Sequence, residues 1–405
     1  MMEVVGSPDG TLRLWDGQSV SAHVDKPMPV IQYGNRLAMW KTLINPELNW
    51  GDLYCNGQIQ FQGDLAVFLE TVYRHLYSTR ENRSWLHRFL VWLGHRRIAN
   101  TEARAEENIH HHYDIGNDFY KLWLDAEAMQ YTCGYFPDPD MTLEQAQLAK
   151  MHHVCRKLQL NPGDTVVEAG CGWGGLALFM AKHYGVKVKA YNISKQQIIY
   201  ARQCAEQQGL SDRVEFLLDD YRNITGKFDV FLSVGMLEHV GRGDYPALGA
   251  LIERCLKPEG RGLIHTIGRI KPAPMNAWIE RRIFPGAYPP SLREMMEIFE
   301  PKRLSVLDVE NLRLHYAKTL DYWLQRFEQH RDEVAAMMDE EFVRAWRLYL
   351  AGSIAAFRAG ELQLYQVVFA RDTNNDVPWS RAHLYRYGSE SRRKLSVVEG
   401  DTIHA

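Results

Sequence analysis

The sequence predicts an α/β fold, a doubly wound and mostly parallel sheet preceded by a small N-terminal α+β domain. Three observations carry this expectation. The stretch VVEAGCGWGGLAL (166–178) sets an apolar run, a cluster of glycines and a second apolar run in direct succession. From about residue 145 strand-like and helix-like patterns alternate, as a parallel sheet with crossover helices requires. The first 95 residues have another texture, with short alternating runs between Gly and Asn/Asp turns. At 405 residues the chain is long for one domain, and 46% hydrophobic residues suffice for a sizeable core.

In the N-terminal domain (1–95), TLRLWDG and LYCNGQIQFQGD read as strands. LAVFLETVYRHLY reads as a helix with Leu65, Phe68, Leu69, Val72 and Leu76 on one face. No catalytic pattern is visible there. Residues 84–104, SWLHRFLVWLGHRRIANTEAR, mix aromatics with Arg and His. Such a segment can lie on a membrane surface or pack on a neighbouring domain, and the residues leave both open. Residues 96–144 form a connecting segment, followed by the larger domain over 145–375. Its strand candidates are 164–168, 186–192, 213–218, 228–234 and 261–267. One helix carries clear boundaries, with Ser194 at its start and Gly209 just past its end. The Pro-rich stretch 270–300 breaks the rhythm and reads as a lid over a pocket. A helical region over 320–358 leads to a last strand, LQLYQVVFAR, and the polar residues 376–405 read as a loosely held tail.

Composition narrows the function. A net charge of −3 points to neither nucleic acid nor an acidic substrate. The six cysteines show no C-x-x-C pairing and fit free thiols in a reducing compartment. His110, His111 and His112 are consecutive and cannot face one ion from a regular element, so no metal site is expected. MMEVVGSPDG lacks the basic and apolar regions of a signal peptide, and no run approaches a membrane span. The expectation is a cytoplasmic protein that reaches lipid from the surface.

Glycines in a strand-to-helix turn permit positive φ and let a ligand approach the main chain beside free N–H groups at a helix start. Gly170, Gly172 and Gly175 satisfy G-x-G-x-x-G, the dinucleotide fingerprint. That fingerprint also asks for an acid at the end of the second strand, where this chain has Asn192. The acid, Glu168, instead precedes the glycines. E-x-G-x-G is the pattern of S-adenosylmethionine enzymes, with a carboxylate near the methionine end, so methyl transfer outranks hydride transfer.

Five further stretches stand with it: HHHYDIGNDFYKLWLD (110–125), MQYTCGYF (129–136), SVGMLEHVG (233–241), LIHTIG (263–268) and LHYAKTLDYW (314–323). Together the six resemble, in order and spacing, the cyclopropane fatty acid synthase family, which includes the mycolic acid cyclopropane synthases. The resemblance runs from about 105 to 370. The first 95 residues resemble the accessory domain of the bacterial phospholipid enzymes.

The resemblance implies the class I S-adenosylmethionine methyltransferase fold and a transfer of a methylene to the cis double bond of a phospholipid acyl chain. It implies bicarbonate as proton acceptor, held by Cys133, Glu238, His265, Tyr316 and the backbone at Ile267. For the cofactor, Tyr113, Gly170, Gly172 and Gln197 match, with Glu168 before the glycines. Tyr221 and Arg222 fall at positions flanking the adenine. Asn192 stands where the family usually has Thr, and Ile193 where it often has Leu. Tyr131, Tyr135, Phe136 and Tyr316 fall where the family builds its pocket. Ser353 replaces a Cys once proposed to be catalytic, which the bicarbonate mechanism does not require. A lipid-binding accessory domain, peripheral association with the inner face of the membrane and a homodimer are implied as well.

Plainer readings stand beside these. Cys133 could be a small packing residue, Glu238 an ordinary helix-start carboxylate, and His265 a core histidine with its partners satisfied. Loss of a different proton would leave a methyl or methylene branch in place of a ring. A small-molecule N-methyltransferase and a non-catalytic lipid-binding protein remain as rivals.

Overall fold

The computed structural model describes residues 10–21, 29–79 and 116–385. Tyr113, the three histidines before it, the segment 84–104 and most of the tail lie outside the described residues.

The N-terminal module contains β1 (Thr11–Arg13), β2 (Ser19–Ser21), β3 (Val30–Tyr33), α1 (Arg36–Ile44), α2 (Pro46–Cys55), β4 (Ile59–Gln62) and α3 (Leu65–Thr79). Its sheet runs β2-β1-β3-β4. Both short helices have explicit starts. The Asn35 side chain accepts from Ala38 N at 2.8 Å, and Asn45 caps α2 directly ahead of Pro46, whose missing N–H costs nothing at a first turn.

The larger domain follows with α4 (Asn117–Lys121), α5 (Leu143–Lys157), β5 (Thr165–Ala169), α6 (Gly175–Tyr184), β6 (Lys187–Asn192), α7 (Lys195–Gln207), β7 (Val214–Leu218) and β8 (Phe228–Val234). Then come α8 (Tyr245–Cys255), β9 (Leu256–Gly268), α9 (Ala277–Arg282), α10 (Leu292–Phe299), β10 (Leu304–Asn311), α11 (Arg313–Gln329), α12 (Arg331–Met337), α13 (Glu340–Ala359), β11 (Gln363–Arg371) and α14 (Ala382–Tyr385). The sheet order is β10-β11-β9-β8-β5-β6-β7. β5 to β9 are mutually parallel, whereas β11 and β10 pair antiparallel. The chain leaves β5 toward β6 and β7, then returns to β8 on its other side. The crevice of such a sheet lies where that direction reverses, at the carboxyl ends of β5 and β8. β8 and β11 are buried along nearly their whole length, as helices on both faces demand.

All five parallel strands, the Ser194-capped helix and the final strand lie where the sequence puts them. β10 is an edge strand that the sequence reading passes over. The stretch 270–300 is more ordered than a free lid. A Cβ added at Gly51 would lie 2.5 Å from the Trp278 ring, so α9 sits flush on α2. Arg282 also grips Asp52 through contacts of 2.8 and 3.0 Å. The N-terminal module joins α13 in the same way, with Arg344 donating to the Tyr54 and Ile59 carbonyls at 2.6 and 2.8 Å.

Candidate active site

The glycine turn after β5 is held from both sides. Gly170 and Cys171 N–H groups donate to the Tyr191 carbonyl at 3.0 and 3.1 Å, tying the turn to β6. Gly170, Gly172 and Gly174 have φ of +82°, +54° and +82°. Gly174 is a packing glycine, because a Cβ there would meet Phe216 at 2.6 Å and Ala201 at 2.8 Å. At Gly172 a Cβ would meet nothing within 4 Å. The turn thus offers bare backbone to open space at one glycine and is locked by packing at another.

Asn192 supports the turn through its side chain. Its Nδ2 donates to the Gly172 carbonyl at 3.1 Å and to Gln197 Oε1 at 2.7 Å. Its Oδ1 accepts from Ser194 N at 3.2 Å, and its carbonyl accepts from Asp219 N at 3.1 Å. Ile193 lies beside it, half-buried. The departure from Thr at 192 therefore brings an amide that braces the glycine turn. After β7, the Arg222 guanidinium lies 5.1 Å from the Tyr221 ring centre and pairs with Asp220 at 3.0 Å. Burial pushes the Tyr221 phenol up to about 12, so it stays protonated. These loops end β5, β6 and β7 side by side. Open backbone at a helix start, an amide brace and an aromatic ring fit a nucleoside with an amino-acid tail.

Glu168, at the end of β5, is 2% exposed and its Oε2 has no hydrogen-bond partner among the described residues. Burial raises its pKa, and the nearby Lys150 ammonium opposes that rise.

The second cluster forms at the ends of β8 and β9. Glu238 is buried in the turn after β8. Its Oε1 accepts from Ile267 N and its Oε2 from Thr266 Oγ1, both at 2.9 Å. Burial raises its pKa, and these two donors hold it down in part. The Ile267 N–H is thus spent on Glu238. Tyr288 N donates to the Glu238 carbonyl at 2.7 Å, so the 270–300 stretch also reaches this residue.

His265 is 1% exposed and held near a pKa of about 3, chiefly by burial, so the imidazole is neutral. Gln366 Nε2 faces its Nδ1 at 3.1 Å. With the amide nitrogen as donor, Nδ1 accepts and the ring proton sits on Nε2. Nε2 has no partner. His265 is therefore no satisfied core histidine: among the described residues its Nε2 and Gln366 Oε1 both lack partners, so either orientation of the amide leaves one buried polar atom on each side chain unpaired. An unpaired buried polar atom is costly, and here it marks a place where a bound polar group would find a partner.

Cys133 approaches from the other side. A Cβ at Gly235, just after β8, would lie 3.1 Å from Thr132 Cγ2, which places this segment against the strand ends. Cys133 Sγ donates to the Gly134 carbonyl at 3.1 Å and lies 3.9 Å from the Leu312 carbonyl, at the entry to α11. Burial pushes its pKa up, so it is a thiol and not a nucleophilic thiolate. Gly134 N donates to Thr319 Oγ1 at 2.9 Å, fixing the segment on the helix that carries Tyr316.

The four aromatic residues singled out in the sequence divide into two groups. Tyr131 and Tyr316 both meet Trp323, at centroid distances of 5.3 and 5.9 Å. Tyr135 stacks between His153 and His315 at 4.1 and 5.1 Å, and Phe136 stacks on Tyr322. Ser353 is half-buried within α13. Thr266, Gln366, Gln130 and Lys150 are site residues that the sequence reading missed. Their signal was a polar residue in an apolar register.

Comparisons with known proteins identify the family. The family model described as mycolic acid cyclopropane synthetase matches residues 100–367. The cyclopropane-fatty-acyl-phospholipid synthase of Escherichia coli (strain K12) is 43% identical over 271 residues, 67% of this chain and 69% of that protein. A protein of Pseudomonas putida named "Probable fatty acid methyltransferase" is 35% identical over 390 residues, 93% of this chain and 96% of its own. A crystal structure of a mycolic acid cyclopropane synthase complexed with SAH and CTAB superposes with a TM-score of 0.62 at 32% identity, covering 65% of this chain and 97% of that one. The chain belongs to the mycolic acid cyclopropane synthetase family and is an S-adenosylmethionine-dependent methyltransferase.

Proposed function

We propose that this protein is a cyclopropane-fatty-acyl-phospholipid synthase, which adds one methylene across the cis double bond of an acyl chain in membrane phospholipid, with bicarbonate as proton acceptor. The observation that carries this reading is the unpartnered Nε2 of neutral, buried His265, two residues before Ile267, whose N–H holds the strand-end carboxylate Glu238. Methylation of an amine needs no held proton acceptor. The likeness to the named Escherichia coli synthase supports the same reading.

When bound, S-adenosylmethionine supplies an electrophilic methyl group. An alkene is a weak nucleophile, so orientation must supply much of the barrier lowering, up to roughly 7–11 kcal/mol for ideal placement. The buried rings of Trp123, Tyr316 and Trp323, with the half-buried Tyr131, offer apolar walls that exclude water and faces that favour positive charge developing on the acyl chain. Bicarbonate, when bound, supplies a base that leaves with the proton. His265 Nε2 would hold one of its oxygens, and Cys133, Glu238 and Tyr316 would border it.

A second reading has its own support. The Pseudomonas putida relative matches 93% of this chain and is named for methyl transfer to a fatty acid. Both readings share every step up to the choice of proton lost. Mass spectrometry of monounsaturated phospholipid vesicles incubated with protein and S-adenosylmethionine separates them. Gain of one CH2 with loss of the alkene, scored by ozonolysis, is expected. The same gain with an alkene retained would select the branched product, and amine turnover without lipid would remove both.

The same proposal places the protein on a membrane surface. Among the described residues no helix is long and apolar enough to cross a membrane. α1 instead exposes Leu37 (62%), Trp40 (49%), Leu43 (45%) and Ile44 (80%), while Ala38 and Thr42 face the module's core. Arg36 and Lys41 flank this apolar face with charges that suit anionic headgroups. Replacing Leu37 and Ile44 with Ser and Trp40 with Ala is expected to weaken cosedimentation with anionic vesicles by roughly tenfold or more. Turnover of detergent-dispersed lipid should persist. Unchanged vesicle binding would take α1 out of the membrane contact.

A further inference from the structure

Residues 130–136 lie in neither strand nor helix, so their backbone N–H groups must be paired by other means. Three in succession are. Gly134 N donates to Thr319 Oγ1 at 2.9 Å, Tyr135 N to the Ala146 carbonyl at 2.9 Å and Phe136 N to His315 Nδ1 at 3.0 Å. The segment that carries Cys133 is thus clipped to α11 on one side and to α5 on the other. His315 and Thr319 stand one turn apart on α11, with Tyr316 between them in sequence. The Thr319 hydroxyl gives its own proton to the His315 carbonyl at 2.8 Å, which leaves its lone pairs for Gly134.

A backbone N–H can only donate, so His315 Nδ1 accepts and the neutral ring carries its proton on Nε2. Protonation would put a second N–H at Nδ1, facing the Phe136 donor, and open the clip. The ring also stacks on Tyr135, with 5.1 Å between centroids. Burial, above all, keeps His315 below the ordinary imidazole pKa. Glu310 on β10 works against this, whereas His153 on α5 and Lys318 on α11 work with it. Glu310 is itself engaged by His153 Nε2 at 2.7 Å and by Lys157 Nζ at 2.6 Å. The clip is therefore complete at neutral pH and above, and it is lost as pH falls below the ordinary imidazole range.

We propose that His315 is a positioning residue: with Thr319 it holds the Cys133 segment against the helix that bears Tyr316, through an acceptor nitrogen that serves only while the ring is neutral. It acts through that backbone and not by contact with the reacting atoms. The inference rests on the reading of Cys133 and Tyr316 as borders of the reaction centre.

Two variants of the full chain test it. His315→Leu removes the acceptor and keeps bulk, whereas His315→Asn keeps an acceptor oxygen at the δ position and does not titrate. Turnover is scored on monounsaturated phospholipid vesicles as S-adenosylhomocysteine released, whatever the lipid product. Hydrogen exchange of the peptide spanning 130–138 needs no substrate. His315→Leu is expected to lower kcat by roughly tenfold to a hundredfold and to speed exchange at 134–136, with the Kd for S-adenosylhomocysteine near native. His315→Asn should restore most of both. The ratio of His315→Asn to native turnover should rise as pH falls from about 8 to about 5, because every other acid-sensitive group is shared. Equal losses in the two variants, native kcat and exchange in a folded His315→Leu, or a flat ratio would each overturn the proposal. Where His315→Leu does not fold, native protein and His315→Asn decide it through the ratio. Should none of the proteins methylate lipid, the lipid reading falls separately, and exchange in the three chains still shows whether His315 holds the segment.

Discussion

Glu238→Gln is expected to lower kcat on unsaturated phospholipid by roughly 10²–10⁴, the usual worth of a positioned proton-transfer group, while the Kd for S-adenosylhomocysteine stays near the native value. The carboxylate is buried and accepts from two donors at the end of β9, Ile267 N and Thr266 Oγ1. A carboxamide keeps the shape: its oxygen can accept from Ile267 N, and its NH2 can donate to Thr266 Oγ1, whose hydroxyl can donate to the Ile267 carbonyl at 3.0 Å, so the local hydrogen bonds survive. What disappears is the negative charge at the end of β9. The glycine turn is braced by Tyr191 and Asn192 on the far side of β5 and meets the Glu238 loop through Met236, which packs on Gly170. Turnover on vesicles and calorimetry on the same preparation give the two readouts. Native turnover would remove Glu238 from the chemistry, and loss of cofactor binding would make it a folding residue.

The parts of this architecture that were readable in the sequence share one property: their signal is local. The glycine turn shows because positive φ and an open Cβ position demand Gly at fixed offsets. β5 and β8 show because strands buried on both faces read as apolar runs, and β6 and β7 because a partly exposed face leaves an alternating pattern. Ser194 shows because a helix start needs an acceptor for its free N–H groups, and it accepts from Gln197 N at 3.4 Å. What was not readable depends on partners distant in the chain. α9 reads as part of a loose, Pro-rich excursion until Trp278 is seen to fill the space left by Gly51.

Lys150 is the instructive case. The buried face of α5 runs through Leu143, Ala146, Gln147, Lys150, Val154 and Lys157. That is an apolar helical register with three polar residues in it, and only the fold shows that Gln130, Thr132 and Glu310 meet them. Gln366 is similar, an amide in the otherwise apolar LYQVVFA of β11 that turns out to meet His265 Nδ1 at 3.1 Å. Polar residues in apolar register were the available clue to the site's supporting layer, and the clue was legible only as an anomaly. Tyr135 and Phe136 err in the opposite sense. Their aromatic character fits a pocket wall, yet they stack on His153, His315 and Tyr322 and hold the 133–136 segment on α11.

The second large effect is expected at the cofactor. Gly172→Val should raise the Kd for S-adenosylhomocysteine by at least about a hundredfold, while the fold survives. Gly172 has φ +54°, where a β-branched residue is a clear outlier. An L side chain in that region costs roughly 1–2 kcal/mol, a cost that a domain of ordinary stability tolerates. No protein atom lies within 4 Å of the added Cβ, so packing raises no further objection. The branched side chain would instead fill the space in which the cofactor must approach bare backbone. Gly174→Ala makes the contrast. Its Cβ would collide with Phe216 and Ala201 at 2.6–2.8 Å, so it should lower the melting temperature sharply and impair binding only through misfolding. Calorimetry and thermal melts on both variants separate a glycine that makes room for a ligand from one that makes room for the core. Native affinity in Gly172→Val would mean that the cofactor does not run along this turn, and the functional reading of the four glycines would fall with it.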